Sequence, residues 1–145
     1  MEIINWYRKA SERDLSADEL DVLNGQKVGL AGHLGIEFSA LGPESAAARL
    51  EVGREHLQPA GLVNGGVFAS IGETVASVAG IVRAGGVAVV GVNNDTNFIR
   101  SVRSGVIEAT AEPIQLGRRT QLWRVDMRNE DRLAAQTILR TMVVG

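Results

Sequence analysis

One stretch constrains the fold more than any other. Residues 65–82 are apolar or small, and they hold a single ionisable group, Glu73, near the middle. As a helix the stretch is long enough to span a bilayer. A central carboxylate would cost roughly 3 kcal/mol in lipid, and Ser70, Thr74, Ser77 and several glycines add to the polarity. The expected structure is therefore a helix buried inside a soluble protein. A helix that is apolar on most sides needs a sheet wrapped around it.

The flanking residues supply that sheet. Residues 33–41 and 44–52 read as two strands joined at Gly42-Pro43. In the second, Ala46, Ala48, Leu50 and Val52 alternate with Ala47, Arg49 and Glu51. Residues 54–64 read as a loop with Pro59 and Gly61. After the helix, closed by Gly85-Gly86, strand character holds over 87–92, 97–99, 106–111, 120–127 and 133–144. Turns fall at Ser104-Gly105, Leu116-Gly117 and Asn129-Glu130-Asp131. Before the first strand, Ser16 and Glu19 have the spacing of a capping box and Gly25 is a plausible stop, so a short helix is expected there. Helix, two strands, one long helix and about four strands describe α+β architecture, with antiparallel strands around one central helix.

Composition narrows the chemistry. The 145 residues are 45% hydrophobic and 22% charged, which describes a globular chain. The net charge of −2 gives no pull towards nucleic acid or an anionic membrane, and neither is expected as a partner. There are no cysteines, which removes disulfides, a thiol nucleophile and thiolate zinc sites and agrees with a cytoplasmic location. Only two histidines exist, His33 and His56, so no His-rich metal site is expected. The start, Met1-Glu2-Ile3-Ile4-Asn5-Trp6, lacks the basic and apolar regions of a signal peptide.

The helix carries the candidate chemistry. A buried carboxylate is costly and is usually kept for a partner or a reaction. Glu73 is thus a candidate catalytic group, or else a carboxylate satisfied by an arginine or by strand backbone. Ser77 lies four residues on, on the same face, where it would hold a water against Glu73 or simply bond its own backbone. Gly65 and Gly66 open the helix, and their N–H groups are suited to a developing oxyanion, although Gly-Gly is also a permissive turn. Arg100, Arg103, Arg118 and Arg119 follow the helix and would either meet the phosphates of a nucleotide carrier or remain plain surface charge. His56, beside the loop, is a candidate base, although a single His there is more often an ordinary surface residue. No G-x-S-x-G, phosphate-binding or zinc-protease motif is present.

Spacing adds a constraint. Gly65 and Glu73 stand about 12 Å apart along one helix. A nucleophile or base and an oxyanion donor must both lie about 3 Å from the reacting centre. One helix does not supply both. Two antiparallel helices across a two-fold axis do, with Glu73 of one chain facing the helix start of the other.

The run from Leu57 through Gln58, Asn64-Gly65-Gly66 and Glu73 to Ser77 resembles the central motif of hotdog-fold acyl-CoA thioesterases of the PaaI-like and 4-hydroxybenzoyl-CoA thioesterase type. That motif places Gln six residues before His-Gly-Gly, an acidic residue nine after the His, and Ser or Thr four later. Asn97-Phe98-Ile99-Arg100, Gly105 and Gly117-Arg118 are similar to the family's later strands and turns. The resemblance covers residues 34–143. It implies one hotdog domain over residues 1–145, with 1–32 as an N-terminal extension. It implies a homodimer or homotetramer with sites across the dimer interface, and hydrolysis of small acyl-CoA or acyl-carrier thioesters, CoA being part of the substrate rather than a cofactor. Glu73 would be nucleophile or general base, and the Gly65 N–H would bind the oxyanion with Asn64 or Gln58. The departure is Asn64, where the family usually has His; Asn donates without carrying charge. That departure leaves open a domain that binds acyl-CoA without hydrolysing it. A hydratase or dehydratase is a further alternative, but such sites commonly use a His with an Asp, and the helix has no His.

Overall fold

The computed structural model describes residues 1–26 and 28–145. Three short helices come first: α1 (Ile3–Glu12), α2 (Ala17–Gly25) and α3 (Gly29–Leu34). Strands β1 (Glu37–Leu41) and β2 (Ala46–Glu51) follow, then a 3-10 turn (Arg54–His56) and the long helix α4 (Gly65–Arg83). Strands β3 (Val89–Phe98), β4 (Val106–Leu116), β5 (Thr120–Asn129) and β6 (Arg132–Val143) complete the chain. One six-stranded sheet forms in the order β1-β2-β4-β5-β6-β3, with every neighbouring pair antiparallel. Its strands pack against α4, which is the arrangement of a hotdog fold.

Small residues set how closely α4 approaches. Gly72, Ala76 and Gly80 are spaced by four and share a buried face. A Cβ on Gly72 would stand 2.5 Å from Cβ of Thr137 on β6, and one on Gly80 would stand 2.5 Å from Oε1 of Gln121 on β5. The polar groups under this face pair with one another. Gln121 Oε1 accepts from Trp123 Nε1 at 2.9 Å and from Thr141 Oγ1 at 3.0 Å, and its Nε2 donates to Gly80 O at 3.3 Å. Val75, Val125, Met127 and Leu139 fill the space between helix and sheet.

The capping box expected at Ser16 is present, and α2 ends at Gly25 as expected. Asn24, at the end of α2, donates from Nδ2 to Phe38 O and accepts at Oδ1 from Phe38 N, both at 2.8 Å. It thereby serves as one rung of a strand beside β1 and blunts that sheet edge.

Two strand expectations need correction. Residues 33–41 are not one strand: α3 runs through Leu34, Gly35 turns at φ 78°, and β1 begins at Glu37. The stretches 87–92 and 97–99 are not separate either. They join through Asn93, Asn94, Asp95 and Thr96 into β3, with a bulge between Gly91 and Asn93. Pairing with β6 satisfies one side of the backbone there and overrides the weak strand preference of those polar residues.

Candidate active site

The positive end of α4 opens into a cleft of about 360 Å³, whose lining includes Gln58, Leu62, Gly65, Phe68, Phe98 and Arg100. Asn64 is the N-cap, and its Oδ1 accepts from Gly66 N at 2.8 Å. The cap consumes the Gly66 N–H. The Gly65 N–H has no partner among the described residues. Of the two donors expected at the helix start, only Gly65 therefore remains open to a ligand. Asn64 is first a helix cap, and its Nδ2 makes no hydrogen bond among the described residues.

Gln58 sits in the loop entering α4, where the Leu57–Val63 bridge closes a small turn. Its Oε1 accepts from Ala60 N at 2.8 Å. That contact fixes the amide orientation, and Nε2 has no acceptor among the described residues; Gln58 and Gly65 line the same cleft. Phe98 lies over the helix start: a Cβ on Gly65 would be 2.6 Å from its Cζ. Its ring also tilts against Phe68, with centroids 6.2 Å apart. Phe98 is 61% exposed, so the ring over the helix start is open to solvent.

Glu73 differs from expectation. It is exposed rather than buried, on the side of α4 facing β3. Among the described residues no salt bridge reaches it, and its one side-chain hydrogen bond comes from Asn94 Nδ2 at 3.4 Å. The reading of Glu73 as a structural ion-pair partner therefore finds no support. A helix lying against one sheet buries only the face towards that sheet, and Glu73 projects beside the β3 edge. Ser77 is half-buried and makes no side-chain hydrogen bond among the described residues, unlike Ser70, whose Oγ bonds back to Gly66 O at 2.7 Å.

The four arginines do not gather in one chain. Arg100 lines the cleft, and Arg103 lies near Gly61, with Nη1 3.4 Å from the position of a Cβ there. Arg118 and Arg119 sit in the β4–β5 turn, where Arg119 O accepts from Val143 N, next to the Val89 end of β3. The length of β3 separates the two pairs. His56 is also corrected. It is buried, its Nδ1 accepts from Gly53 N at 2.8 Å, and its Nε2 donates to Leu34 O at 2.7 Å. It joins the 3-10 turn to the end of α3 and is committed to structure. No group of three or more metal-ligating side chains occurs among the described residues.

Sequence reasoning missed Phe98 and Asn94. Both lie on β3, whose polar middle obscured which side chains face α4.

Residues 60–135 match the Thioesterase superfamily. The proofreading thioesterase EntH of Cronobacter turicensis is 36% identical over 129 residues, 87% of this chain and 94% of that protein. The 1,4-dihydroxy-2-naphthoyl-CoA hydrolase of Escherichia coli is 33% identical over 142 residues, 96% of this chain and 98% of that protein. The solved structure of a Haemophilus influenzae thioesterase superposes with a TM-score of 0.81 at 36% identity, covering 90% of this chain and 92% of that one. The hotdog sheet packed on α4 agrees with these likenesses: the chain belongs to the thioesterase superfamily and is a thioester hydrolase.

Proposed function

We propose that the protein hydrolyses acyl-CoA thioesters at two equivalent sites in a homodimer, each built from Gly65 and Gln58 of one chain and Glu73 of the other. The observation that carries this reading is the pairing of an unpartnered Gly65 N–H with an exposed, unpaired Glu73 about 12 Å along the same helix. A two-fold axis that brings Glu73 of a second copy to Gly65 must pass beside α4 at a level midway between them, that of Ala69. On the sheet, Ala69 is level with Asn94, whose Nδ2 donates to Ala69 O at 3.0 Å. Asn94 stands at the middle of β3, an edge strand with Val90 and Val92 exposed. One axis therefore serves the site and also pairs β3 with its copy along its whole length, which satisfies an open sheet edge.

In this site the thioester oxygen lies at Gly65 N–H, with Gln58 Nε2 beside it. Glu73 takes a proton from water, and the hydroxide attacks the carbonyl carbon. The C–S bond then breaks, and the thiolate recovers the proton from Glu73. In the nucleophilic variant Glu73 attacks first, thiolate leaves, and water cleaves the resulting anhydride. Single turnover in ¹⁸O-water separates the two, because only the anhydride route can place label in Glu73. Arg100 in the cleft lining and Arg103 near Gly61 are the residues for the CoA phosphates, and the two-fold carries Arg118 and Arg119 of the second copy towards the same end. The name of the Escherichia coli relative, a hydrolase of an aromatic acyl-CoA, supports a CoA thioester as substrate.

Thiol release from aliphatic and aromatic acyl-CoAs tests the reading. Glu73→Gln is expected to lower kcat by about 10²–10⁴-fold in a folded dimer. Turnover unchanged in Glu73→Gln removes Glu73 from the chemistry.

A further inference from the structure

Glu73 is tethered from β3. Asn94 Nδ2 lies 3.0 Å from Ala69 O and 3.4 Å from Glu73 Oε2. Asn94 Oδ1 lies 2.7 Å from Thr96 Oγ1, which in turn lies 2.7 Å from Thr137 Oγ1. Thr137 is wholly buried beneath Gly72.

The donor directions in this chain are forced. Ala69 O only accepts, so the amide must turn its NH₂ towards α4. Asn94 Oδ1 then accepts the single proton of Thr96. With that proton used, the contact between the two hydroxyls requires Thr137 to donate. A one-way series of O–H and N–H groups thus runs from the buried Thr137 to the exposed carboxylate. On the other side, a Cβ on Gly91 would stand 2.8 Å from Glu73 Oε1, so glycine there leaves room for the carboxylate. Oε2 is tethered, and Oε1 has no donor among the described residues.

We propose that Asn94, oriented by Thr96 and Thr137, is the positioning residue for Glu73. It holds the carboxylate in one rotamer by Oε2 and leaves Oε1 as the reacting oxygen. This rests on Glu73 being the base or nucleophile. Positioning of this kind acts on the chemical step more than on substrate binding, because Asn94 is not among the cleft-lining residues.

The paired variants Thr96→Val and Thr96→Ser isolate the effect. Valine keeps the shape but removes the hydroxyl that anchors Asn94 Oδ1, so the amide, still turned by Ala69 O, is held from one end only. Serine keeps the hydroxyl. Steady-state thiol release from an acyl-CoA is measured for both, for Asn94→Leu and for Glu73→Gln, with melting temperatures alongside. Asn94→Leu is expected to lower kcat by about 10–100-fold, and Thr96→Val by about tenfold, with KM within about twofold of the parent. Thr96→Ser is expected to restore kcat to within about twofold. Full kcat in folded Thr96→Val or Asn94→Leu, beside an inactive Glu73→Gln, overturns the positioning role alone. Thr96→Ser as slow as Thr96→Val also overturns it, because keeping the hydroxyl would then not keep the rate. An active Glu73→Gln overturns the reading beneath it instead. If Asn94→Leu does not fold, the Thr96 pair decides.

Discussion

At the scale of single residues, the site and the core depend on missing side chains. Gly65 leaves room for Phe98 over the helix start, and Gly72 lets α4 settle onto Thr137. An added Cβ at position 72 gains helix propensity of about 1 kcal/mol. Its clash is with the buried Cβ of Thr137 as well as the hydroxyl, so neither atom escapes without moving β6. Overpacking costs about 1–3 kcal/mol, and a clash with two buried atoms at once belongs to the upper part of that range, about 2–3 kcal/mol. Gly72→Ala is therefore expected to destabilise the fold by about 1–2 kcal/mol net, read from urea unfolding. Unchanged stability would mean that α4 shifts freely on the sheet. Asn64 shows how one residue carries two readings: its type and place signalled a substrate donor, while its Oδ1 completes the helix cap.

At the scale of elements, α2 is held by charge as well as by packing. Glu19 accepts from the backbone of Ser16 and pairs with Arg13 and Lys9 of the preceding segment. The Arg13 guanidinium, then Lys9, then the Ser16 N–H hold its carboxyl far below the usual carboxylate range. A carboxyl depressed on folding contributes stability above its unfolded value of 4.5 and loses it as pH falls towards the folded value. Glu19→Gln keeps a capping-box side chain but removes the charge. The variant is expected to melt below the parent at pH 7. The gap should narrow below about pH 4.5 and in high salt, since these groups are screened by solvent. A gap independent of pH and salt would assign the loss to the cap alone. The other instructive element is β3, whose middle is too polar to read as strand and yet forms one. Two of its polar side chains are not solvated bystanders, since Asn94 and Thr96 turn to α4 while Asn93, Asp95 and Asn97 are exposed.

At the scale of the whole molecule, the two-fold makes a sharp prediction. Gly65→Pro removes the oxyanion N–H at the first helical position, where proline is tolerated; Asn64 at φ −61°, ψ 136° already has the conformation that precedes proline, and the added Cβ meets only the far end of the exposed Phe98 ring, which can turn aside. Glu73→Gln removes the carboxylate. Each homodimer is expected to be inactive. After unfolding and refolding as an equal mixture, each heterodimer has one intact site and one doubly defective site. Activity should return to about a quarter of the parent value, from half the dimers each with one of two sites. No recovery, with heterodimers present by native mass spectrometry, would place Gly65 and Glu73 of the same chain in one site or remove one of them from it.

The sequence alone determined the long helix, its one carboxylate, the capping box at Ser16, the later hairpins and the Gln58, Gly65 and Glu73 spacing. These are local matters: periodicity, turn chemistry and fixed rise per residue decide them. It was silent on α1, whose N-cap residue Glu2 makes no capping bond, and it mistook residues 33–34 for strand. It placed His56 at the surface, and only packing of the 3-10 turn against α3 buries it. Tertiary structure alone decided that Glu73 lies exposed beside β3, that Arg100 and Arg118 occupy opposite ends of a chain, and that Asn94 reaches the carboxylate. Those outcomes depend on which strand closes the sheet edge and which face of it meets α4, and contacts between β3 and residues far away along the chain leave no periodic trace in the sequence.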